Sequence, residues 1–375
     1  ESVNIIPDTL AAIAKAVTGA YLSTEGNAFT SRTASQIVQE NFNPREKDQP
    51  SGPLFGVQFS QLPCSDLAGR FAGGAADFGP KRSPLGLSAD PGGLPLYKNG
   101  TPVGAVGVIA DGLYSADKDI VDFDQSVDEQ IAVAGTFGFA APVDRRADRI
   151  TVLGKTLRFS DALFDNLASD PAAAPPFSGL GAAGALVAVT GYANAAVIAG
   201  TAFGQPASGI RADALDYPPA LDAFVLVDNT NTERYRPTAG TDTPGGNAAN
   251  ALTAAEVRQI LSSALSVANR ARAQIRRPTG TSARVTISVV DTAGTVLGVV
   301  RGRDAPVFGT DVSLQKARTA AYFSATGDAV APADQLRALP DTVYLDGGLA
   351  ALGTISLGDY VTALQGFLGD PGALE

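Results

Sequence analysis

The stretch ADGLYSADKDIVDFDQSVDE, residues 110 to 129, gathers the side chains of this chain best suited to chemistry. Asp111, Asp117, Asp119, Asp122, Asp124, Asp128 and Glu129 lie close enough in sequence for their oxygens to meet around a hard cation, and calcium suits such oxygens. Asp117, Asp119, Asp122 and Asp124 are the metal-ligating set that this spacing puts forward. The glycine of an EF-hand loop is missing, which favours a solvated acidic loop as the plainer alternative. Nucleophilic chemistry has less to work with. Cys64, in QLPCSDL, is the lone cysteine, so no disulfide forms within one chain. With no His in the sequence and no basic residue beside it, nothing activates the thiol, and a buried structural cysteine is the simpler reading. GLGAAG at 179 to 184 has the spacing of a nucleotide loop but follows Pro175-Pro176 and not a strand. DTAG at 291 reads as the tight turn of a hairpin, not as a protease loop. No nucleophile with a base is visible, which ranks binding or structural roles ahead of catalysis.

Composition narrows the classes further. At 375 residues the chain exceeds what one hydrophobic core usually supports, and 45% hydrophobic with 18% charged residues is the balance of a folded protein. A net charge of −10 and a pI near 4.6 argue against nucleic acid, which needs a basic face. His, Met and Trp are all absent. The missing initiator Met fits a fragment or a processed, exported protein, so a secreted or periplasmic location is expected; the start, ESVNIIPDTLAAIAKAV, is no signal peptide. From Pro171 to Ile210 the chain carries no charge for forty residues, yet Gly184, Gly191, Gly200, Thr190, Asn194 and Thr201 dilute it and no basic flank is present. The expectation is small-residue strands in ALVAVTGY and AAVIAGTAFG, and no membrane span.

The elements that must position these residues follow from periodicity and punctuation. In LTAAEVRQILSSALSVANRARAQIRRP, from 252, Thr253 and Glu256 form a capping box, the apolar residues fall at helical spacing, and Pro278 stops a helix expected over 253–275. Val285 to Arg301 reads as a hairpin turning through Asp291 to Gly294, and a Gly/Pro-bearing loop then leads to a second helix. Earlier, LPLYKNGTPVGAVGVIA centres on Asn99-Gly100, the strongest short hairpin signal, and Ser126 with Glu129 forms another capping box. RITVLGKTLRFSD and AFVLVDNTNTERYRP are the expected strands of a β-rich middle.

Two stretches repeat. KAVTGAYLSTEGNA at 15 to 28 and KARTAAYFSATGDA at 316 to 329 share eight of fourteen residues at an offset of 301. SVVDTAGTVLGVVRGRDAPVFGTDVSLQKARTAAYFS resembles the front half of the GlcG/HbpS-like domain, a haem-degrading or haem-binding family, and DPGGLPLYKNGTPVGAVGV resembles its back half. The resemblance covers roughly 200 residues. It implies an α+β fold, a profilin-like antiparallel sheet flanked by helices, and symmetric homo-oligomers. Because the back half comes first, the chain reads as a window on two tandem copies: 1–142 the back of one, 143–250 a β-rich intervening region, 251–375 the front of the next. The implied function is haem or other small-molecule binding without strong catalysis, the alternative being a self-assembling extracellular or periplasmic subunit. Haem is the cofactor that the family implies. Without His or Met, the iron ligands left to this sequence are Tyr21, its repeat counterpart Tyr322, and Cys64, although helix packing accounts for both tyrosines. The hairpins at 94–110 and 284–301 are expected to pair with each other in one sheet within one chain, the alternative being completion by the next chain.

Overall fold

A computed structural model describes residues 5–39, 52, 79–81, 83–189, 199–213, 215–324, 342–345, 351–355, 362 and 365, and Cys64 lies outside them. Helix α1 (Asp8–Leu22) buries Ala11, Ala14, Lys15, Thr18, Gly19 and Leu22, a stripe at helical spacing made mostly of small residues. Small residues let a sheet lie close. The hairpin of β1 (Gly93–Lys98) and β2 (Thr101–Gly107) rests directly on the backbone of α1: a Cβ built on Gly93 would fall 2.3 Å from the Lys15 carbonyl oxygen, and one on Gly107 2.1 Å from that of Ala12. Asn99 and Gly100, at φ 49° and 79°, make the left-handed turn that the Asn-Gly pair foretells. The short α2 (Ser31–Ile37) is buried along its whole length, and α3 (Val127–Gly135) starts on the Ser126 cap.

The middle of the chain forms a small hairpin, β3 (Thr151–Val152) with β4 (Lys155–Thr156), and two strands, β5 (Ile210–Ala212) and β6 (Ala223–Leu226). Among the described residues of 184–204 there is neither helix nor named strand: Leu186 and Val187 are exposed, so the small-residue strands expected there are not formed by residues 185–188. No described helix is long and apolar enough to cross a membrane.

Helix α4 (Ala254–Ala268) precedes the hairpin of β7 (Thr286–Val290) and β8 (Val296–Gly302), and α5 (Gly309–Phe323) follows it. The sheet order is β5-β6-β8-β7, antiparallel throughout. This corrects the pairing expected between the two hairpins: β8 takes β6 as its second neighbour, and β1–β2 stays a two-stranded sheet. The reason is visible in β6, which is buried on both faces. Val225 packs with Val257, Leu261 and Leu265 of α4, whereas Phe224 and Leu226 join the larger core that includes Tyr21, Leu22 and Val299. Leu297 is the extra residue of a bulge opposite Val289 and Val290, which moves it into the α4 core. Helix α4 also ends earlier than its arginine-rich tail suggests. Past Ala268 the apolar stripe is spent, the Asn269 amide donates to the Leu221 carbonyl at 2.7 Å, and Arg276 turns inward to meet Asp304. A last pair, β9 (Thr342–Leu345) and β10 (Ala351–Ile355), is antiparallel.

Helices α1 and α5 are both fifteen residues long, and their first and last residues correspond at the offset of 301. Their surroundings differ. Lys15, Thr18 and Gly19 are buried, and their counterparts Lys316, Thr319 and Ala320 are exposed.

Candidate functional site

Two buried cations organise the front of the molecule. The Arg32 guanidinium, 1% exposed in α2, donates through Nε to Glu129 at 2.9 Å and through Nη1 to Asp117 at 2.9 Å and Asp124 at 3.1 Å, with Asp161 at 3.0 Å. Burial works against its charge, but the carboxylates, Glu129 foremost, hold its pKa above the ordinary value. Lys15 on α1 donates to the Val108 carbonyl at 2.7 Å and meets Asp90 and Asp128, each at 2.5 Å. Adjacent acids at the start of α3 thus serve different cations. Ser126 accepts from the Glu129 amide as a cap should, while the Glu129 carboxylate, which a full capping box would turn back on the cap, goes to Arg32.

The acidic loop closes over this cluster as a cleft of about 600 Å³, with Arg32, Asp90, Asp117, Asp122 and Asp124 in its wall. Desolvation pushes the Asp90 carboxyl up to about 6 against the pull of Lys15, and it likewise raises Asp117 and Glu129 against the pull of Arg32. Of the four aspartates that spacing grouped, Asp117, Asp122 and Asp124 bring oxygens within 4.8 Å of one another; Asp119 is not in that group, and its amide donates to Asp117 at 2.8 Å. Asp117 and Asp124 already neutralise Arg32, so the loop's first task is charge compensation. Neither Arg32 nor Lys15 is among the site residues that the sequence puts forward; Lys15 enters there only as the first residue of the repeat, opposite Lys316. The one available signal was Lys15 standing inside the small-residue stripe of α1.

A second feature lies where three parts of the chain meet. Leu22, Phe29 and Ile37 from the front, Val152 and Leu157 from the middle, and Ile275, Val285 and Phe308 from the back line an apolar cavity of about 220 Å³. Arg276 and Arg284 are its cationic residues. Arg276 is 6% exposed, reaches Thr24 at 3.1 Å and Asp304 at 2.6 Å, and leaves Nε without a partner. Gly26 makes room for it: a Cβ there would fall 2.7 Å from the guanidinium carbon.

Of the iron ligands put forward from the sequence, Tyr21 is the one whose side chain is described. Tyr21 is buried in the core, and its hydroxyl donates to the Lys81 carbonyl. Cys64 and the side chain of Tyr322 lie outside what is described. The cavity is lined by neither Tyr nor Cys, and its volume is below the roughly 300–1,000 Å³ usual for drug-sized ligands. This cavity therefore does not fit haem.

The architecture is α+β, helices packed on antiparallel sheets. Residues 260–363, from within α4 through β7, β8 and α5 to past β10, match the family described as haem degrading protein HbpS-like, which supports that domain family for this part of the chain. Haem-related or small-molecule binding is what the match carries at the level of the family; it lends no support to calcium. No curated protein and no solved structure matches.

Proposed function

We propose that the chain is a non-catalytic small-molecule-binding protein on an HbpS-like scaffold, and that its ligand is an apolar molecule smaller than haem that carries an acidic group. The carrying observation is the apolar cavity with the buried Arg276 at its wall, whose Nε has a proton to donate and no acceptor. An apolar body gains by leaving water, and a carboxylate would satisfy that donor. Calorimetric titration with hexanoate, hexanol and haemin tests this. Saturable one-to-one binding of hexanoate, stronger than that of hexanol and lost in Val285→Phe, is expected. No heat with hexanoate, or unchanged binding in the filled variant, overturns the proposal; a sharp one-to-one Soret band with haemin overturns the size limit.

A second reading, self-assembly, is favoured by α5, whose Lys316, Thr319 and Ala320 are exposed where α1 is covered by a hairpin. Light scattering across a concentration series should then show an oligomer that Ala320→Arg dissociates. A monomer at all concentrations removes this reading.

A further inference from the structure

Arg301 sits in the middle of the four-stranded sheet, opposite Phe224 of β6 on one side and Thr286 of β7 on the other. It is 1% exposed. Its surroundings differ from those of the other buried guanidinium groups. Arg32 has its carboxylates and Arg276 has Asp304, but Arg301 has one hydrogen bond, from Nη2 to the Ala305 carbonyl, and neither Nε nor Nη1 has a partner. Asp304, the nearest acid in sequence, is committed to Arg276 at 2.6 Å and to the Glu25 amide at 2.9 Å. The Asp304 charge offsets part of the desolvation cost, but Nε and Nη1 are left as buried donors without acceptors, which is destabilising.

The groups around it would suit an anion. Thr286 is the register partner of Arg301, so both side chains stand on the same face of the sheet, and its hydroxyl is also buried without a partner. That hydroxyl lies 3.7 Å from where a Cβ on Gly309, the first residue of α5, would be. This fifteen-residue helix has no side-chain cap at its N-terminus; its Gly309 and Thr310 amides donate to the Pro306 and Val307 carbonyls, and the buried Asp311 is the acid of its first turn. On the outer side, Phe203 is half exposed, its ring 5.9 Å from the Arg301 guanidinium and stacked on Phe224 at 6.0 Å.

We propose that Arg301 and Thr286, beside the first turn of α5, form a binding site for a small oxyanion, a carboxylate or a phosphate group, reached past Phe203. The site uses none of the residues lining the apolar cavity and does not depend on the function proposed above. Burial lowers the Arg301 pKa to about 10, which leaves it charged at neutral pH.

The experiment is thermal unfolding of the full chain in rising sodium phosphate, and separately sodium acetate, against sodium chloride at matched ionic strength. The wild-type chain should show a saturating rise in Tm of a few degrees in at least one of the two oxyanions. A response to phosphate alone assigns a phosphate group; a response to acetate alone assigns a carboxylate. Arg301→Met, which removes the unpaired charge, should be at least as stable as wild type in chloride and should not respond. A wild-type Tm indifferent to both anions overturns the proposal, and so does an equal response in Arg301→Met. If that variant does not fold, calorimetric titration of wild type and Thr286→Val with phosphate and acetate decides: no saturable heat in wild type, or undiminished binding in Thr286→Val, overturns it.

Discussion

At the scale of single residues, the front of the molecule is governed by which carboxylates face which cation. Among the described residues, Arg32→Met removes the only cation that Glu129 ion-pairs with and leaves buried acids uncompensated. A loss of about 3–5 kcal/mol is expected, measurable by urea unfolding, with Arg32→Lys intermediate because it keeps the charge but not the fork. The raised acids also set a pH trend. Asp90, at about 6, and Glu233, pushed to about 7 by burial and by Asp213 and Asp216, bind protons more tightly folded than unfolded. Their contribution is complete below the unfolded values and is lost as pH rises through the folded ones, so the chain should melt higher at pH 5 than at pH 8. For Asp90 the contribution is at most about 3 kcal/mol. Asp90→Asn should flatten the slope between pH 5 and 7, and a wild-type profile already flat there would refute the assignment. None of this could be read from the sequence, because Arg32 meets partners 85 to 97 positions away or more. What spacing showed was an acidic loop. What it could not show was the arginine underneath.

At the scale of elements, local rules served well where the cause was local. The Asn99-Gly100 turn and the Thr253–Glu256 box form as their residues require. The hairpin over 285–301 also forms, as β7 and β8. The repeat foretold two equivalent helices, and α1 and α5 begin and end in step. Local rules failed where a distant partner decided. The Arg270–Arg277 segment has a helical look, but the bonds from Asn269 to Leu221 and from Arg276 to Asp304 draw the chain off the axis. Close approach of α1 to its hairpin makes a prediction of its own. Gly107→Val puts side-chain atoms where the Ala12 carbonyl already stands, so β2 must lift from α1. Faster hydrogen exchange along Ala11–Leu22 is the expected result; protection equal to wild type would show that the contact is looser than described.

For the whole molecule, the decisive fact is that the middle region supplies β6 to the sheet of the back region. The α+β class was legible in the alternation of helix and hairpin signals. The strand order was not, since β6 and β8 are joined by a choice of partner that short-range patterning does not encode. Replacing residues 203–236 with a Gly-Ser linker should leave β8 as an unpaired edge, strip Val225 and Val227 from the α4 core, and abolish cooperative melting. A cooperative transition in that deletion would mean that β1–β2 can take the vacant place. The same strand order bears on how the chain is made. Helix α1, the β1–β2 hairpin and α3 are complete once residue 135 has been synthesised, and their main contacts lie among themselves. The four-stranded sheet cannot close before residue 302, so β5 and β6 must wait through some eighty residues of synthesis with one edge bare. During that interval a holdase chaperone has a surface to recognise, and a pause in translation downstream of β6 would lengthen the exposure.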